Sequence, residues 1–127
     1  MTFLPVVTPN GARYTAFLFS FAATSIGLYA FTAPAGAAVW FGLPSHAKSP
    51  FFQAKGARDI TLGLAYALCA RQRYISAIKT LMVCHIITGV TDSVIVWRFG
   101  DRERSWGHII GTGALAIMAG QFLWAGL

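Results

Sequence analysis

Residues 74–97 read YISAIKTLMVCHIITGVTDSVIVW, an apolar run in which only Lys79 and Asp92 carry a full charge at neutral pH. A helix needs about 20 mostly apolar residues to cross the hydrocarbon core of a bilayer. This run is long enough, and runs of similar character lie at residues 14–32, 52–70 and 106–127. The pattern predicts four membrane-spanning helices.

The composition of the whole chain also favours a membrane protein. Of its 127 residues, 56% are hydrophobic and only 11% are charged, and the mean hydropathy is +0.59. A soluble domain carries about 25% charged residues. The net charge is +6, but the cations are spread singly and in pairs between the apolar runs. We therefore predict that they face lipid headgroups of a bilayer, and that the chain has no nucleic-acid partner.

Short connections between the last three runs predict how the helices are arranged. Only residues 71–73 separate the second run from the third, and residues 98–104 separate the third from the fourth. Helices joined by loops this short lie antiparallel. We therefore predict an all-α fold, a single integral membrane domain built as an up-down four-helix bundle.

The connection after the first predicted helix is longer and partly apolar. Pro34 should end or kink that helix, and the pair Trp40 and Phe41 suits the membrane interface. Pro44 follows shortly afterwards. We expect a short helical segment here, lying at the interface or re-entering the bilayer across one mouth of the bundle.

Ionisable residues lie near helix ends that an up-down bundle brings to one side. They are Arg58 and Asp59 at the start of the second helix, Asp92 and Arg98 near the end of the third, and His108 at the start of the fourth, with His46 in the nearby connection. A carboxylate in a membrane costs about 2.5–3.5 kcal/mol on insertion scales, so its presence suggests a functional site. We predict that Asp59, Asp92, Arg58 and His108 form that site.

Helical spacing predicts a pocket behind this charged mouth. His85 and Thr88 share one face of the third helix with Asp92, and Tyr66 lies on the corresponding face of the second. We predict that Tyr66, Thr88, His85 and the interfacial Trp40 bind substrate. The sequence has no His-x-x-x-His, paired-cysteine or glycine-rich phosphate motif, so we predict neither a metal nor a cofactor.

Several short motifs form a pattern along most of the chain: Gly56-Ala57-Arg58-Asp59 with Gly63-Leu64, Thr91-Asp92 followed by Arg98-Phe99-Gly100, His108-Ile109-Ile110-Gly111, and Phe41-Gly42-Leu43-Pro44. The pattern resembles a family of small four-span membrane proteins from fungi and bacteria, catalogued as a domain of unknown function (DUF4267). The resemblance implies an association with fungal polyketide or terpenoid pathways, where small membrane proteins open or rearrange epoxides. It also implies the endoplasmic reticulum as the location if the chain is fungal.

Epoxide opening requires a proton donor to the ring oxygen and a base that activates water or an internal hydroxyl group. We predict that Asp59 and Asp92 divide these roles around Arg58, and that His108 or Tyr66 orients water or substrate. The chain would then be a cofactor-independent membrane enzyme, a hydrolase or cyclase acting on a lipophilic small molecule.

Two other functions stay open at this stage. In the first, the chain is a non-catalytic scaffold or subunit whose aspartates only neutralise Arg58. In the second, it carries a proton or small solute, which requires a homo-oligomer because four short helices seldom enclose a pathway alone. Gln121 and a weak polar stripe around Ser20 are the only polar features in the far half of the bundle, which counts against transport.

Overall fold

The computed structural model describes residues 8–126, and within that range the regular secondary structure is all helical, with no strand. Its helices are α1 (Pro9–Thr32), α2 (Pro34–Phe41), α3 (Pro50–Arg71), α4 (Ile75–Phe99) and α5 (Arg102–Trp124), with a 3-10 turn at Pro44–His46 between α2 and α3. The all-α prediction is confirmed. The four predicted spans correspond to α1, α3, α4 and α5, and the predicted connecting segment is α2. Leu127, the predicted end of the last span, lies outside the described residues.

α1 and α5 begin four or five residues before the predicted apolar runs, because side chains cap their first turns. The Thr8 hydroxyl accepts a hydrogen bond of 2.9 Å from a backbone N–H of α1. The Asp101 carboxylate accepts one of 3.0 Å in α5. Capping satisfies N–H groups that lack a partner within the helix and so fixes where a helix starts. α1 and α5 therefore extend beyond the predicted spans at their starts, to Pro9 and Arg102.

α1 and α3 pack against each other along most of their lengths and run in opposite directions. Near one end, the Arg13 Nε donates a hydrogen bond of 3.0 Å to the carbonyl of Ala70. Near the other end, Gly27 faces Gly56, and a Cβ on Gly27 would lie 2.5 Å from the Gly56 carbonyl oxygen. Glycine is required here because the two backbones touch.

The remaining long helices also pair in opposite directions. Arg58 of α3 contacts Asp92 of α4, whereas Tyr66, further along α3, meets His85, which comes earlier in α4. α4 packs extensively on α5. In the order α1, α3, α4 and α5, each long helix therefore contacts the next one.

Two apolar clusters lie at different levels of these helices. One cluster includes Phe52 of α3 and Val96 of α4, together with residues of α2. The other includes Tyr66 of α3 and Met82 of α4, and extends to α1 and α5. The level between them on α3 and α4 holds Arg58, Asp59 and Asp92, so polar groups are enclosed by an apolar cluster on each side.

The segment after α1 is fixed against the α4–α5 connection. α2 ends at Gly42, whose φ of 95° lies in the left-handed region that favours glycine. The Gly42 carbonyl accepts a hydrogen bond of 2.8 Å from the backbone N–H of Asp101. Phe41, just before the turn, is buried. α2 therefore lies across the end of the molecule where α3 and α5 begin.

Among the described helices, α1 and α4 are each long and apolar enough to cross a membrane. Most of their residues lie outside the apolar clusters. Large apolar side chains are exposed on the other helices as well, for example Phe51 on α3 and Ile110 on α5. Extended exposed apolar surface marks contact with a membrane or a partner. These features favour membrane association.

Candidate functional site

Arg58 holds two aspartates at once. Its Nη1 and Nη2 donate hydrogen bonds of 3.1 and 2.9 Å to the two carboxylate oxygens of Asp92 on α4. Its Nε and Nη2 donate bonds of 3.1 and 3.0 Å to Oδ1 of Asp59, the next residue on α3. The prediction that these three side chains meet is confirmed by their contacts.

Lys55 completes this group and was missed by the sequence analysis, which placed it among the headgroup-facing cations. Its ammonium donates to Oδ2 of Asp59 and lies 4.2 Å from the centroid of the Phe41 ring. The signal that could have found it is its spacing, since a residue four positions before Asp59 lies on the same helix face. We call Lys55, Arg58, Asp59 and Asp92 the ion cluster.

The charges of the ion cluster balance. Both aspartates are only 8% exposed, and each of their four carboxylate oxygens accepts a hydrogen bond from Lys55 or Arg58. A buried charge is costly unless it is paired and hydrogen-bonded. Two cations and two carboxylates satisfy this requirement, which explains how four charged side chains lie between apolar clusters.

A cavity of about 270 Å³ lies on the inner side of the ion cluster, between α1, α4 and α5. We call it the inner cavity. Its polar lining consists of the whole ion cluster together with His85, Thr88, His108 and Thr112, and Trp40 lines it from α2. Of the predicted substrate-binding residues, the structure thus places His85, Thr88 and Trp40 around this cavity.

A second cavity, of about 400 Å³, lies on the other side of the ion cluster; we call it the outer cavity. Its lining is mostly apolar and includes Phe51, Phe52, Ile95 and Phe99, with His46 and Ser49 also present. Phe41, Lys55, Arg58 and Asp92 line both cavities. The ion cluster therefore stands between two cavities that are both mostly apolar, and the inner one has more polar side chains in its wall.

His108 lies beside the ion cluster rather than within it. Its Nε2 is 2.9 Å from the carbonyl oxygen of Phe41, and because a carbonyl only accepts, Nε2 carries the proton. Among the described residues, no hydrogen bond or ion pair joins His108 to Asp59 or Asp92. In a neutral ring the other nitrogen, Nδ1, is an acceptor. His108 thus anchors α5 to α2 and lines the inner cavity.

The prediction that Arg98 joins this convergence is wrong. Its side chain is exposed, its guanidinium lies 5.9 Å from the Phe99 ring centroid, and it lines neither cavity. Arg98 comes six residues after Asp92 and so lies about two-thirds of a turn further round α4. Helix ends share a level, but the direction of each side chain decides what it meets.

The structure also corrects the predicted place of Tyr66, which does not line the inner cavity. Tyr66 is fully buried and stacks on Phe19 with a ring-centroid distance of 5.6 Å. Its hydroxyl lies 3.4 Å from Nδ1 of His85. His85 occupies the cavity wall, and Tyr66 supports it from behind.

The chain belongs to the family described as "Domain of unknown function (DUF4267)", which it matches over residues 20–122. The match confirms the resemblance inferred from the short motifs, and it includes the ion cluster and every residue that lines the two cavities except Phe19. Neither a curated protein nor a solved structure matches the chain.

Proposed function

We propose that this chain is an integral membrane enzyme that opens an epoxide in a lipophilic polyketide or terpenoid substrate without a cofactor. The observation that supports this most directly is the position of the ion cluster. Two carboxylates bound to one guanidinium stand beside two mostly apolar cavities: Asp92 lines both of them and Asp59 lines the inner one, which also has histidine and threonine side chains in its wall. Epoxide opening requires such a pair of acid and base groups, together with space for an apolar substrate.

The proposal includes four membrane spans arranged as an up-down bundle, with the chain a multi-pass protein of the endoplasmic reticulum if it is fungal. α1 and α4 have the length and apolarity of spans. α3 carries Lys55, Arg58 and Asp59, whose charges are balanced within the bundle, which lowers the cost of placing them in a membrane. In α5 the full charges are confined to the first turn, where they would reach the membrane surface.

The two cavities suggest how a substrate lies in the site. The apolar body occupies the outer cavity, beside Phe52 and Ile95. Phe51, at the same cavity, is 86% exposed, so the substrate enters from the bilayer. The epoxide then lies beside Asp92, which lines both cavities, and water occupies the part of the inner cavity near Asp59 and the other polar side chains.

The reaction follows from these positions. Asp92 first takes up a proton, which leaves one positive charge of the ion cluster unbalanced while the substrate reacts, and it gives this proton to the ring oxygen while the carbon–oxygen bond breaks. Asp59 takes the proton from water, or from a hydroxyl group of the substrate, as that oxygen bonds to the carbon. Water yields a diol, and an internal hydroxyl yields a cyclic ether with a new hydroxyl group. One proton then passes from Asp59 to Asp92 within the ion cluster, and both groups are restored.

The test uses Asp59→Asn and Asp92→Asn, made singly in the full chain and purified in detergent. Limonene oxide and epoxyfarnesol serve as probes, and heavy-oxygen water distinguishes hydrolysis, which incorporates the label, from cyclisation, which does not. We expect each variant to lose at least about 100-fold in turnover, the typical contribution of a general acid or base. Asp101→Asn is the matched control, because Asp101 is exposed and asparagine caps a helix equally well.

A scaffold function is the second candidate, because every carboxylate oxygen of the ion cluster already has a cationic donor. It predicts that the unmodified chain opens neither probe, and that the same asparagine variants only lower the temperature of unfolding. Turnover retained in both asparagine variants would contradict the enzymatic proposal.

A further inference from the structure

We propose that a groove between α4 and α5 binds an anionic phospholipid, with an acyl chain along its floor and the phosphate at two arginines. The groove has a volume of about 420 Å³ and is lined by Val90, Val94 and Trp97 of α4 and by Ile109 of α5, with Arg98 also in its lining. It opens on the side of α4 away from Asp92. We call it the lipid groove.

The floor of the lipid groove matches an acyl chain. Val90, Val94 and Trp97 follow one another at steps of four and three residues, so they form a continuous stripe about 10 Å long. All three side chains are exposed. In a bilayer, an apolar groove between two helices is packed by lipid tails, which are as apolar as the groove itself.

The outer end of the lipid groove is cationic. Arg98 lines it, and the Arg102 guanidinium lies 5.2 Å from the centroid of the Trp97 ring. Among the described residues, neither arginine forms an ion pair, since the nearby Asp101 pairs with Arg104. A guanidinium binds phosphate through parallel hydrogen bonds. Two arginines without carboxylate partners therefore complement an anionic headgroup.

The polarity of the lipid groove runs in the same direction as that of a phospholipid. Val90 lies deepest along α4, Trp97 follows near the end of the helix, and Arg98 and Arg102 lie at the end itself. Tryptophan is enriched where acyl chains meet headgroups, and basic residues near that level attract anionic lipids. A zwitterionic choline lipid places its own cation near the arginines and fits less well. This inference rests on the proposed membrane location and not on the epoxide chemistry.

The test uses Trp97 as a reporter in nanodiscs. The other tryptophans, Trp40, Trp106 and Trp124, are changed to phenylalanine in the full chain, and brominated phosphatidylglycerol or brominated phosphatidylcholine is titrated into the discs. We expect phosphatidylglycerol to quench Trp97 at lower mole fractions than phosphatidylcholine. One arginine near an anionic membrane surface strengthens binding about fivefold. Arg98→Gln and Arg102→Gln should therefore each reduce the preference for phosphatidylglycerol about fivefold, and the double variant should reduce it further.

Arg71→Gln is the matched control, since Arg71 is exposed at the opposite end of α3 from the ion cluster. Equal quenching by the two lipids would overturn the proposal, and so would an equal loss of preference in Arg71→Gln. If free glycerol phosphate competed at the same concentration as the intact lipid, the acyl chain would contribute nothing to binding, which also overturns the proposal. A chain that does not enter nanodiscs overturns the membrane location as well. A chain that enters them without a lipid preference overturns the lipid groove alone.

Discussion

The Lys55 ammonium contacts two groups, the Asp59 carboxylate and the Phe41 ring, and both would lose a partner if it were removed. In Lys55→Met, Asp59 loses the donor to Oδ2, and the Phe41 ring loses its contact with the ammonium. A hydrogen bond to a charged group contributes about 1.5–3 kcal/mol. We expect the free energy of unfolding of this variant in detergent to be about 2 kcal/mol lower than that of the unmodified chain. Lys48→Met, at an exposed lysine outside the ion cluster, should change stability by less than about 0.5 kcal/mol. Equal losses in the two variants would contradict a specific role for Lys55.

At the scale of single residues, the sequence predicted which helices bring charges together but not every side chain involved. Arg58, Asp59 and Asp92 could be found because charged residues are conspicuous in apolar runs. Lys55 was missed because a lysine near a helix start also suits lipid headgroups. Arg98 was wrongly included because the prediction used the level along each helix and ignored direction round it. Side-chain direction depends on how α4 is rotated against its neighbours, and a hydropathy pattern does not specify that rotation.

At the scale of helices, the α1–α3 contact depends on glycine. A Cβ on Gly63 would lie 2.8 Å from the Ser20 carbonyl oxygen and 2.9 Å from the Thr24 backbone nitrogen. Gly63→Ala should therefore push the two helices apart and cost about 1–3 kcal/mol, as overpacking generally does. In Gly120→Ala, nothing lies within 4 Å of the added Cβ. Since alanine favours a helix by about 1 kcal/mol over glycine, that control should gain stability. The two variants should change the unfolding temperature in opposite directions.

The helices themselves were largely predictable, and their ends less so. The turns at residues 72–74 and 100–101 separate helices as the breaks in the apolar pattern indicate. The starts of α1 and α5 depend instead on the caps at Thr8 and Asp101. The first turn of α5 is helical, but its charged residues lower the local hydropathy, so an apolar pattern does not include it. α2 was foreseen as a short segment, whereas its attachment to the α4–α5 connection depends on a backbone hydrogen bond that leaves no hydropathy signal.

At the scale of the whole molecule, four spans and two spans predict different topologies. With four, the α2–α3 connection and the α4–α5 connection face one side of the membrane, and the α3–α4 turn faces the other. Single cysteines at Ser45, Glu103 and Gln72 report these three places in a background with Cys69 and Cys84 changed to alanine. We expect an impermeant maleimide added to sealed vesicles either to label Ser45→Cys and Glu103→Cys but not Gln72→Cys, or to label Gln72→Cys alone. If α1 and α4 alone cross the membrane, Ser45→Cys and Gln72→Cys should instead be labelled together.

The electroneutrality of the ion cluster determines how the protein would respond to an electrical gradient. Moving one elementary charge through 100 mV is worth about 2.3 kcal/mol. Lys55 and Arg58 offset Asp59 and Asp92, and an epoxide is itself uncharged, so loading the site carries no net charge through the field. Vesicles with and without a voltage across them should therefore bind such a guest with the same affinity. A membrane voltage would neither draw the guest into the site nor expel it.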